Sequence, residues 1–130
     1  MKFTLGKQER LKSRKLIECL YTEGNSVKKF PLRMIYLQTE HTSSFPAQVG
    51  VSVAKRNFKL AVDRNRLKRL LRETYRQQKY IVYDGLNKPY VFMISYIGKQ
   101  EMTYNEIFSK MEALLQLFIE ETKKNKNEKL

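Results

Sequence analysis

Residues 61–80 have the sequence AVDRNRLKRLLRETYRQQKY, which divides into a basic side and an apolar side when it is placed on a helix. With 100° per residue and Arg64 at zero, one group of polar side chains falls between about 40° and 140°. These side chains are Asn65, Lys68, Arg69, Arg72, Arg76 and Lys79. The opposite side carries Leu67, Leu70, Leu71 and Tyr75, and Arg66 lies at the border. The pattern predicts a helix whose leucines contact the core while its cations face solvent.

The charge of the chain is concentrated around this helix. The 130 residues carry 26 Lys and Arg against 13 Asp and Glu, a net charge of +13. Residues 55–80, which begin with Lys55 and Arg56, hold 10 basic and 2 acidic side chains. Such concentration is typical of a surface that binds a polyanion, and nucleic acid is the commonest one. An acidic membrane surface remains possible on charge alone.

Repulsion along the basic side also favours an anionic partner. Arg64–Lys68, Lys68–Arg72 and Arg72–Arg76 are like-charged pairs four residues apart, each of which destabilises a helix by roughly 0.2–0.5 kcal/mol. A bound polyanion would relieve this repulsion. Arginine donates two parallel hydrogen bonds to phosphate, and Asn65 could contact a base edge or a 2′-hydroxyl. A simpler interpretation than nucleic-acid binding is that the charged face is merely solvated. Charge alone also does not distinguish an RNA partner from a DNA partner.

The remaining helices and strands are predicted from helix-capping residues, from the alternation of side chains along strands, and from turn residues. Ser13 caps a helix that runs to about Thr22 and stops at Gly24. Strands are expected at 32–37, 48–54 and 90–97. Thr103 and Glu106 have the spacing of a capping box, which opens a helix with one apolar side. That side carries Ile107, Phe108, Met111, Leu114, Leu115 and Phe118. This order predicts an α+β or α/β sandwich in one domain, residues 1–122, followed by a flexible basic tail, residues 123–130.

Several classes of function are disfavoured by what the sequence lacks. Cys19 and His41 are the only cysteine and histidine, which leaves no intrachain disulfide and no Cys/His zinc site. The basic segment holds only two acids, Asp63 and Glu73, so it lacks the carboxylate cluster of a two-metal nuclease. We expect no catalytic residue and no metal ligand. Apolar runs are too short for a membrane span or a signal peptide, which favours a cytoplasmic protein.

Two stretches of the sequence resemble the protein component of bacterial ribonuclease P. The first is VGVSVAKR, residues 49–56, a strand that ends in a Lys/Arg pair. The second is RNRLKRLLRE, residues 64–73, a helix that opens with Arg-Asn-Arg. The N-terminal Glu9-Arg10-Leu11-Lys12, the short helix before Gly24 and the late apolar strand also look like this family. The resemblance covers roughly residues 5–122.

The resemblance implies a fold and an activity. The fold would be a two-layer α+β sandwich similar to the second domain of ribosomal protein S5. It would have a small central sheet, three helices and a left-handed β-α-β crossover, which the usual handedness rule would not predict. The protein would assist a catalytic RNA in the endonucleolytic removal of the 5′ leader from precursor tRNA. Mg²⁺ would be bound mainly by that RNA, and neither DNA nor a membrane would be a partner.

The family's binding surfaces can be placed on matching residues. The resemblance assigns contact with the catalytic RNA to Arg64, Asn65, Arg66, Lys68, Arg69 and Arg72, together with Lys55 and Arg56. It also implies a cleft between the first helix and the sheet that holds the single-stranded leader. The matching cleft residues would be Ile17, Tyr21, Met34, Tyr36 and Ser52. The small side chains of Gly50, Ser52 and Ala54 leave room for a ligand on one strand face, although ordinary core packing would explain them equally well.

Three other functions are weighed against this one. A general or ribosome-associated RNA-binding protein would also be basic, but it need not have an Arg-Asn-Arg helix after a strand ending in Lys/Arg. A self-sufficient nuclease is disfavoured by the lack of clustered carboxylates. A DNA-binding regulator is weaker still, because no helix-turn-helix pair is evident.

Overall fold

Four strands form one mixed sheet in the computed structural model, which describes residues 5–41 and 43–128, with side chains up to Lys124. A 3-10 turn at Lys7–Glu9 precedes the regular elements. In chain order these are α1 (Arg14–Glu23), β1 (Asn25–Lys29), β2 (Leu32–Gln38), β3 (Ala47–Val53), α2 (Ala61–Gln78), α3 (Tyr80–Gly85), β4 (Tyr90–Tyr96) and α4 (Tyr104–Glu128).

The strand order is β1-β2-β4-β3, with one parallel pair. β1 pairs with β2 and β2 with β4 in antiparallel fashion, whereas β3 and β4 run parallel. Parallel neighbours need a crossover connection, and α2 and α3 supply it. The α+β class and the β-α-β connection are therefore confirmed, while the left-handed sense of the crossover stays a prediction.

The main core lies between one face of the sheet and helices α2 and α4. Leu67, Leu71 and Tyr75 of α2 are at most 1% exposed, and Tyr75 packs edge-to-face on Phe92 of β4 with ring centroids 5.7 Å apart. The predicted apolar side of α4 is buried here as well, including Phe118. Helix α1 covers part of the other sheet face through a smaller cluster that joins Leu20 to Ile35 and Met93.

The predicted helix ends are confirmed where a cap could be identified. Ser13 accepts a hydrogen bond from the Leu16 N–H at 3.2 Å, and Thr103 and Glu106 form the reciprocal capping box. Gly24 ends α1, but with φ −73° rather than a left-handed conformation. A Cβ at Gly24 would lie 2.4 Å from the Leu20 carbonyl oxygen. Glycine is therefore required by the close approach of two backbone segments.

Four features of the fold were missed or misplaced by the sequence analysis. β1 is a short edge strand with a single buried side chain, Val27, so it lacks an alternating apolar pattern. The helix predicted to run to residue 80 ends at Gln78, and a separate α3 follows. The described residues therefore contain four α-helices where three were expected. α4 continues to Glu128, beyond the expected boundary at residue 122, and residues 129 and 130 of the predicted tail lie outside the described residues.

A buried ion pair holds the N-terminal segment against the end of α2. Lys79 Nζ lies 2.6 Å from Glu9 Oε2, and the two residues are 1% and 3% exposed. The Tyr83 hydroxyl donates to the same carboxylate oxygen at 2.6 Å. Burial by itself raises the pKa of the Glu9 carboxyl, but hydrogen bonds from Lys79, Tyr83 and the Gly6 N–H outweigh it and lower the pKa. The folded state therefore favours the charged carboxylate.

Replacing Glu9→Gln should lower the free energy of unfolding by roughly 3–5 kcal/mol, because it leaves a buried ammonium group without its counter-charge. Denaturant unfolding at neutral pH measures the loss. The exposed Glu18→Gln on α1 is the matched control and should change the free energy little.

The same carboxylate predicts a pH dependence. A carboxyl with a lowered folded-state pKa stabilises the fold above its unfolded pKa, and this contribution is lost as the pH falls through the folded value. The wild-type protein should therefore lose this part of its stability below pH 4.5, the ordinary value for the group. Glu9→Gln should lack that component. Identical acid profiles for the two proteins would show that the ion pair does not stabilise the fold.

Candidate nucleic-acid interface

The exposed side of α2 forms one wall of a cationic groove of about 490 Å³. Burial of the leucines and Tyr75 fixes the rotation of the helix, so the opposite side must face solvent. Side chains of α2 that line the groove are Asn65, Lys68, Arg69, Arg72, Glu73 and Arg76. The basic side predicted from the sequence is therefore confirmed as one continuous surface, except at Lys79.

The second wall of the groove comes from the N-terminal segment. Arg10 and Leu5 line the groove opposite α2. Arg10 is held there because its backbone forms a parallel bridge with Val49 at the free edge of β3, and the next N–H, of Leu11, donates to the Val49 carbonyl at 2.8 Å. Arg10 was missed as a site residue because no local pattern in residues 5–12 shows which strand edge they follow.

Most cations of the groove are available to a ligand. Among the described residues, Arg10, Lys68, Arg69 and Arg72 have no acidic group within ion-pair distance. Glu73 is the one acid among the groove-lining residues, and its carboxylate is held by Arg76 at 2.6 Å. This hydrogen bond is also the main reason that the pKa of Arg76 is raised. The groove therefore presents nearly pure positive charge.

Two of the predicted RNA-binding arginines instead make internal contacts. Arg64 donates to the carbonyl oxygens of Phe58 and Lys59 at 2.7 and 2.9 Å, which ties the β3–α2 loop to the start of the helix. Arg66 forms ion pairs with Asp63 and with Glu101 in the loop before α4. Neither residue lines the groove. Their proposed contact with RNA stays a prediction, as does that of exposed Lys55 and Arg56 in the loop.

Lys79 does not belong to the basic face, contrary to the helical projection. α2 ends at Gln78, and the chain turns at Lys79 into α3. The Lys79 side chain is consequently buried against Glu9 and does not join the basic side of α2. A projection that assumes one unbroken helix cannot show this change of direction.

A second cavity, of about 350 Å³, lies between α1 and the edge of the sheet. Ile17 of α1 faces Gly50 of β3 and Met93 of β4 across it. A Cβ at Gly50 would lie 2.8 Å from Met93 Cε, so glycine is what lets the Met93 side chain pack against β3 at the floor of the cavity. Tyr21, one turn after Ile17, is 54% exposed. Ser52, two residues after Gly50, lies on the same face of β3, and its hydroxyl is 2.7 Å from the hydroxyl of Ser95.

Two of the predicted cleft residues, Met34 and Tyr36, are on the wrong face of the sheet. They are 0% and 4% exposed and belong to the main core below the sheet. Side chains alternate between faces along a strand, so a register error of one residue moves the whole set to the other side. Arg33, Ile35 and Leu37 occupy the α1 face of β2 instead, and Ile35 packs in the cluster under α1.

The groove and the α1 cavity adjoin each other. Leu5, Arg10 and Arg72 line both of them. An extended polymer could therefore pass from the α2 surface, around the edge of β3, into the space beside α1. The RNA-binding surface of α2 and the cleft beside α1, which were predicted separately from the sequence, therefore form one continuous path.

The described part of the chain offers no cluster of three acidic, histidine or cysteine side chains that could hold a metal ion. None of its helices combines the length and apolar character needed to cross a bilayer.

The fold and the site define a small α+β domain with a groove lined mainly by cationic side chains. Residues 5–118 match the family model described as Ribonuclease P. The chain therefore belongs to the ribonuclease P protein family. It is 42% identical over 91 residues to the ribonuclease P protein component of Porphyromonas gingivalis. That match covers 69% of this chain and 66% of the relative, slightly less than two thirds of the relative's length.

Solved structures support the fold. The chain is similar to a Staphylococcus aureus RNase P protein, with a TM-score of 0.67 at 22% identity over 84% of this chain and 94% of that one. It is equally similar to the RNase P protein of Thermotoga maritima, with a TM-score of 0.67 at 21% identity over 83% and 96% of the two chains. At these identities the likeness shows a shared fold.

Arg69→Ala and Arg66→Ala should differ in their effect on binding to a large structured RNA. Loss of Arg69 should weaken binding and reduce the slope of log K against log salt by about one, as expected for one lost phosphate contact. Arg66→Ala should reduce the slope less, because its guanidinium is already held by two carboxylates. Filter binding across a salt series measures both slopes. Equal slopes for wild type and Arg69→Ala would show that Arg69 does not contact RNA.

Proposed function

We propose that this protein is the protein subunit of ribonuclease P. In this role it binds the catalytic RNA through the α2 groove and the 5′ leader of precursor tRNA through the cleft beside α1. Membership of the family supports the assignment. The observation that carries it is the continuous path on which Arg10 and Arg72 join the two surfaces. The proposal places the protein in the cytoplasm, where precursor tRNA is made.

The groove is suited to the backbone of a folded RNA. Its guanidinium groups can each donate paired hydrogen bonds to a phosphate, and Lys68 adds a point charge between them. Asn65 is exposed at the end of the same surface and can contact a base edge or a 2′-hydroxyl. Contacts of this kind neutralise phosphates where RNA strands are crowded, so the protein stabilises the folded catalytic RNA.

The cleft is suited to an unpaired strand. Tyr21 projects from α1 with half of its surface exposed, and Ile17, Gly50 and Met93 line the cavity one turn of the helix away. Stacking on an aromatic ring requires an unpaired base. The leader supplies such bases upstream of the cleavage site, and mature tRNA has no leader. The cleft would therefore distinguish substrate from product.

Cleavage itself is assigned to the RNA subunit. The described side chains offer no carboxylate cluster for Mg²⁺, so the donor set does not fit a metal site carried by this chain. Mg²⁺ would belong to the catalytic RNA, which hydrolyses the phosphodiester bond. The chain contributes by binding RNA, neutralising phosphate charge and orienting the leader.

Reconstitution tests the proposed function. The purified protein alone should not cleave precursor tRNA. Addition of the cognate catalytic RNA at low Mg²⁺ concentration should produce mature 5′ ends at a rate that the RNA alone does not reach. Gel analysis of 5′-labelled precursor measures both reactions.

The opposite results identify the alternatives. Cleavage by the protein alone would indicate a self-sufficient nuclease. An unchanged rate on addition of the protein, together with co-purification of mainly ribosomal RNA from cells, would indicate a general or ribosome-associated RNA-binding protein.

Tyr21→Ala should reduce the preference of the assembled enzyme for precursor over mature tRNA by about fivefold or more, the loss expected for one stacked base. Affinity for the catalytic RNA should stay unchanged, because Tyr21 does not line the α2 groove. Tyr104→Ala, at the exposed start of α4, is the matched control. Competition between labelled precursor and unlabelled mature tRNA measures the preference, and an unchanged value for Tyr21→Ala would exclude stacking there.

A further inference from the structure

An exposed phenylalanine and a partly apolar cavity lie together at the end of the sheet where β3 and β4 finish. Phe30, in the turn between β1 and β2, is 61% exposed. It lines a cavity of about 460 Å³ between this turn and the loop that joins β4 to α4. Pro31, Ile97 and Met102 contribute further apolar side chains to the lining. The cavity has the size of a small-ligand site, about 300–1,000 Å³, and Phe30 adds a flat exposed ring to it.

The walls of this Phe30 cavity are held in place by the protein itself. The Ile97 N–H donates to the Pro31 carbonyl oxygen at 2.8 Å, which joins the loop after β4 to the β1–β2 turn. A Cβ at Gly98 would lie 2.8 Å from Pro31 Cβ, so glycine allows the two segments to pack closely. The Tyr96 hydroxyl donates to the Gln100 carbonyl oxygen and ties the loop to the end of β4. A ligand therefore meets an ordered cavity and loses little free energy in arranging it.

The segments that surround the cavity carry exposed cations without acidic partners. These cations are Lys29, Lys55, Arg56 and Lys99. Lys99 lines the cavity, and Lys29 directly precedes the Phe30 turn. The β3–α2 loop is brought alongside because the Asn57 side-chain amide donates to the Ile97 carbonyl oxygen at 3.4 Å. Among the described residues, none of the four cations forms an ion pair. This surrounding charge favours a polyanionic ligand over an apolar protein surface.

The cavity itself is not a phosphate site, because two carboxylates line it. Glu101 is held by Arg66 of α2, and Glu106 accepts from the Thr103 N–H and hydroxyl in the capping box of α4. Each carboxylate has room for further hydrogen bonds, and it can accept only from a donor such as the amino group of a base. An uncharged flat group therefore suits the cavity, while the surrounding cations suit phosphates on either side of it.

The Phe30 cavity adjoins the α2 surface rather than the leader cleft. Arg66 of α2 contacts Glu101 in the cavity lining, so the second turn of the helix and the cavity are in direct contact. Among the described residues, the linings of the Phe30 cavity and the α1 cavity have no member in common. An RNA that covers the start of α2 is therefore close enough to place a nucleotide beside Phe30.

We propose that the Phe30 cavity binds one unpaired nucleobase of the catalytic RNA. The base stacks on the Phe30 ring between the β1–β2 turn and the loop before α4, and its exocyclic amino group donates to Glu101 or Glu106. Adenine, cytosine and guanine carry such a group, whereas uracil does not. This inference rests on the proposed assembly with a catalytic RNA. It adds one base contact to a surface whose other contacts are with phosphates.

Binding of the full chain to the catalytic RNA across a salt series tests the site. Phe30→Ala should weaken binding by about fivefold or more, the loss expected for one stacked base. The slope of log K against log salt should stay at the wild-type value, because no phosphate contact is lost. Since the ring is 61% exposed, the free energy of unfolding should change little. Phe30→Tyr keeps the ring and should keep the affinity. Tyr21→Ala, which removes an aromatic ring that is 54% exposed outside the cavity, is the matched control.

Chemical modification of the bases identifies the nucleotide. Dimethyl sulfate reports on unpaired adenine and cytosine, and a carbodiimide reports on unpaired guanine and uracil. The wild-type protein and Phe30→Tyr should protect one unpaired base of the catalytic RNA that Phe30→Ala leaves reactive. That base should be adenine, cytosine or guanine. A protected uracil, or the absence of any protection that depends on Phe30, would overturn the proposal.

The outcomes separate this inference from the function on which it rests. If Phe30→Ala binds as tightly as wild type while Arg69→Ala lowers the salt slope, the base site is wrong and the proposed function stands. A fall in the slope of Phe30→Ala would show a phosphate contact instead of a base contact. Self-association of the wild-type chain that Phe30→Ala abolishes, with RNA affinity unchanged, would assign the cavity to a second copy of the protein. If the wild-type chain does not bind the catalytic RNA, the proposed function itself fails.

Discussion

The rest of the structure depends on how α2 is buried. Leu67, Leu71 and Tyr75 are almost completely enclosed between the sheet and α4, and full burial of each such side chain contributes about 1.5–3 kcal/mol. A helix held in this way cannot rotate without exposing those side chains. Its basic residues are therefore kept at the surface in spite of their mutual repulsion. The free energy that stabilises the fold also maintains the cationic surface.

Other cations of the molecule are used to hold that surface in place. Arg64 ties the β3–α2 loop to the helix start, Arg66 connects the helix to the loop before α4, and Lys79 holds the N-terminal segment through Glu9. These contacts divide one basic sequence into two kinds of residue. Some are committed to internal partners and position the site, while others, such as Arg69 and Arg72, are open to a ligand. The composition alone gives no sign of this division.

The shape of the binding path follows from the sheet. Because β3 is an edge strand, the N-terminal segment can pair with it and bring Arg10 opposite α2. The same edge lies between the groove and the α1 cavity, so the two are continuous with each other. Glycine at position 50 lets the Met93 side chain pack against β3 at this edge, since a Cβ there would lie 2.8 Å from Met93 Cε.

The sequence by itself determined the elements with strong local signals: the amphipathic α2, the capped ends of α1 and α4, three strands, and the basic face that includes Asn65, Lys68, Arg69 and Arg72. Periodicity and capping act within a few residues, so they can be read locally. Only the tertiary structure decided which face of β2 meets α1, that β1 joins the sheet, that Arg10 enters the groove, and that Lys79 turns inward to Glu9. Each of these depends on partners distant in the chain, such as Glu9 and Lys79, whose sequence positions differ by 70. No local pattern specifies which distant groups will meet, because that choice is made by the packing of the whole core.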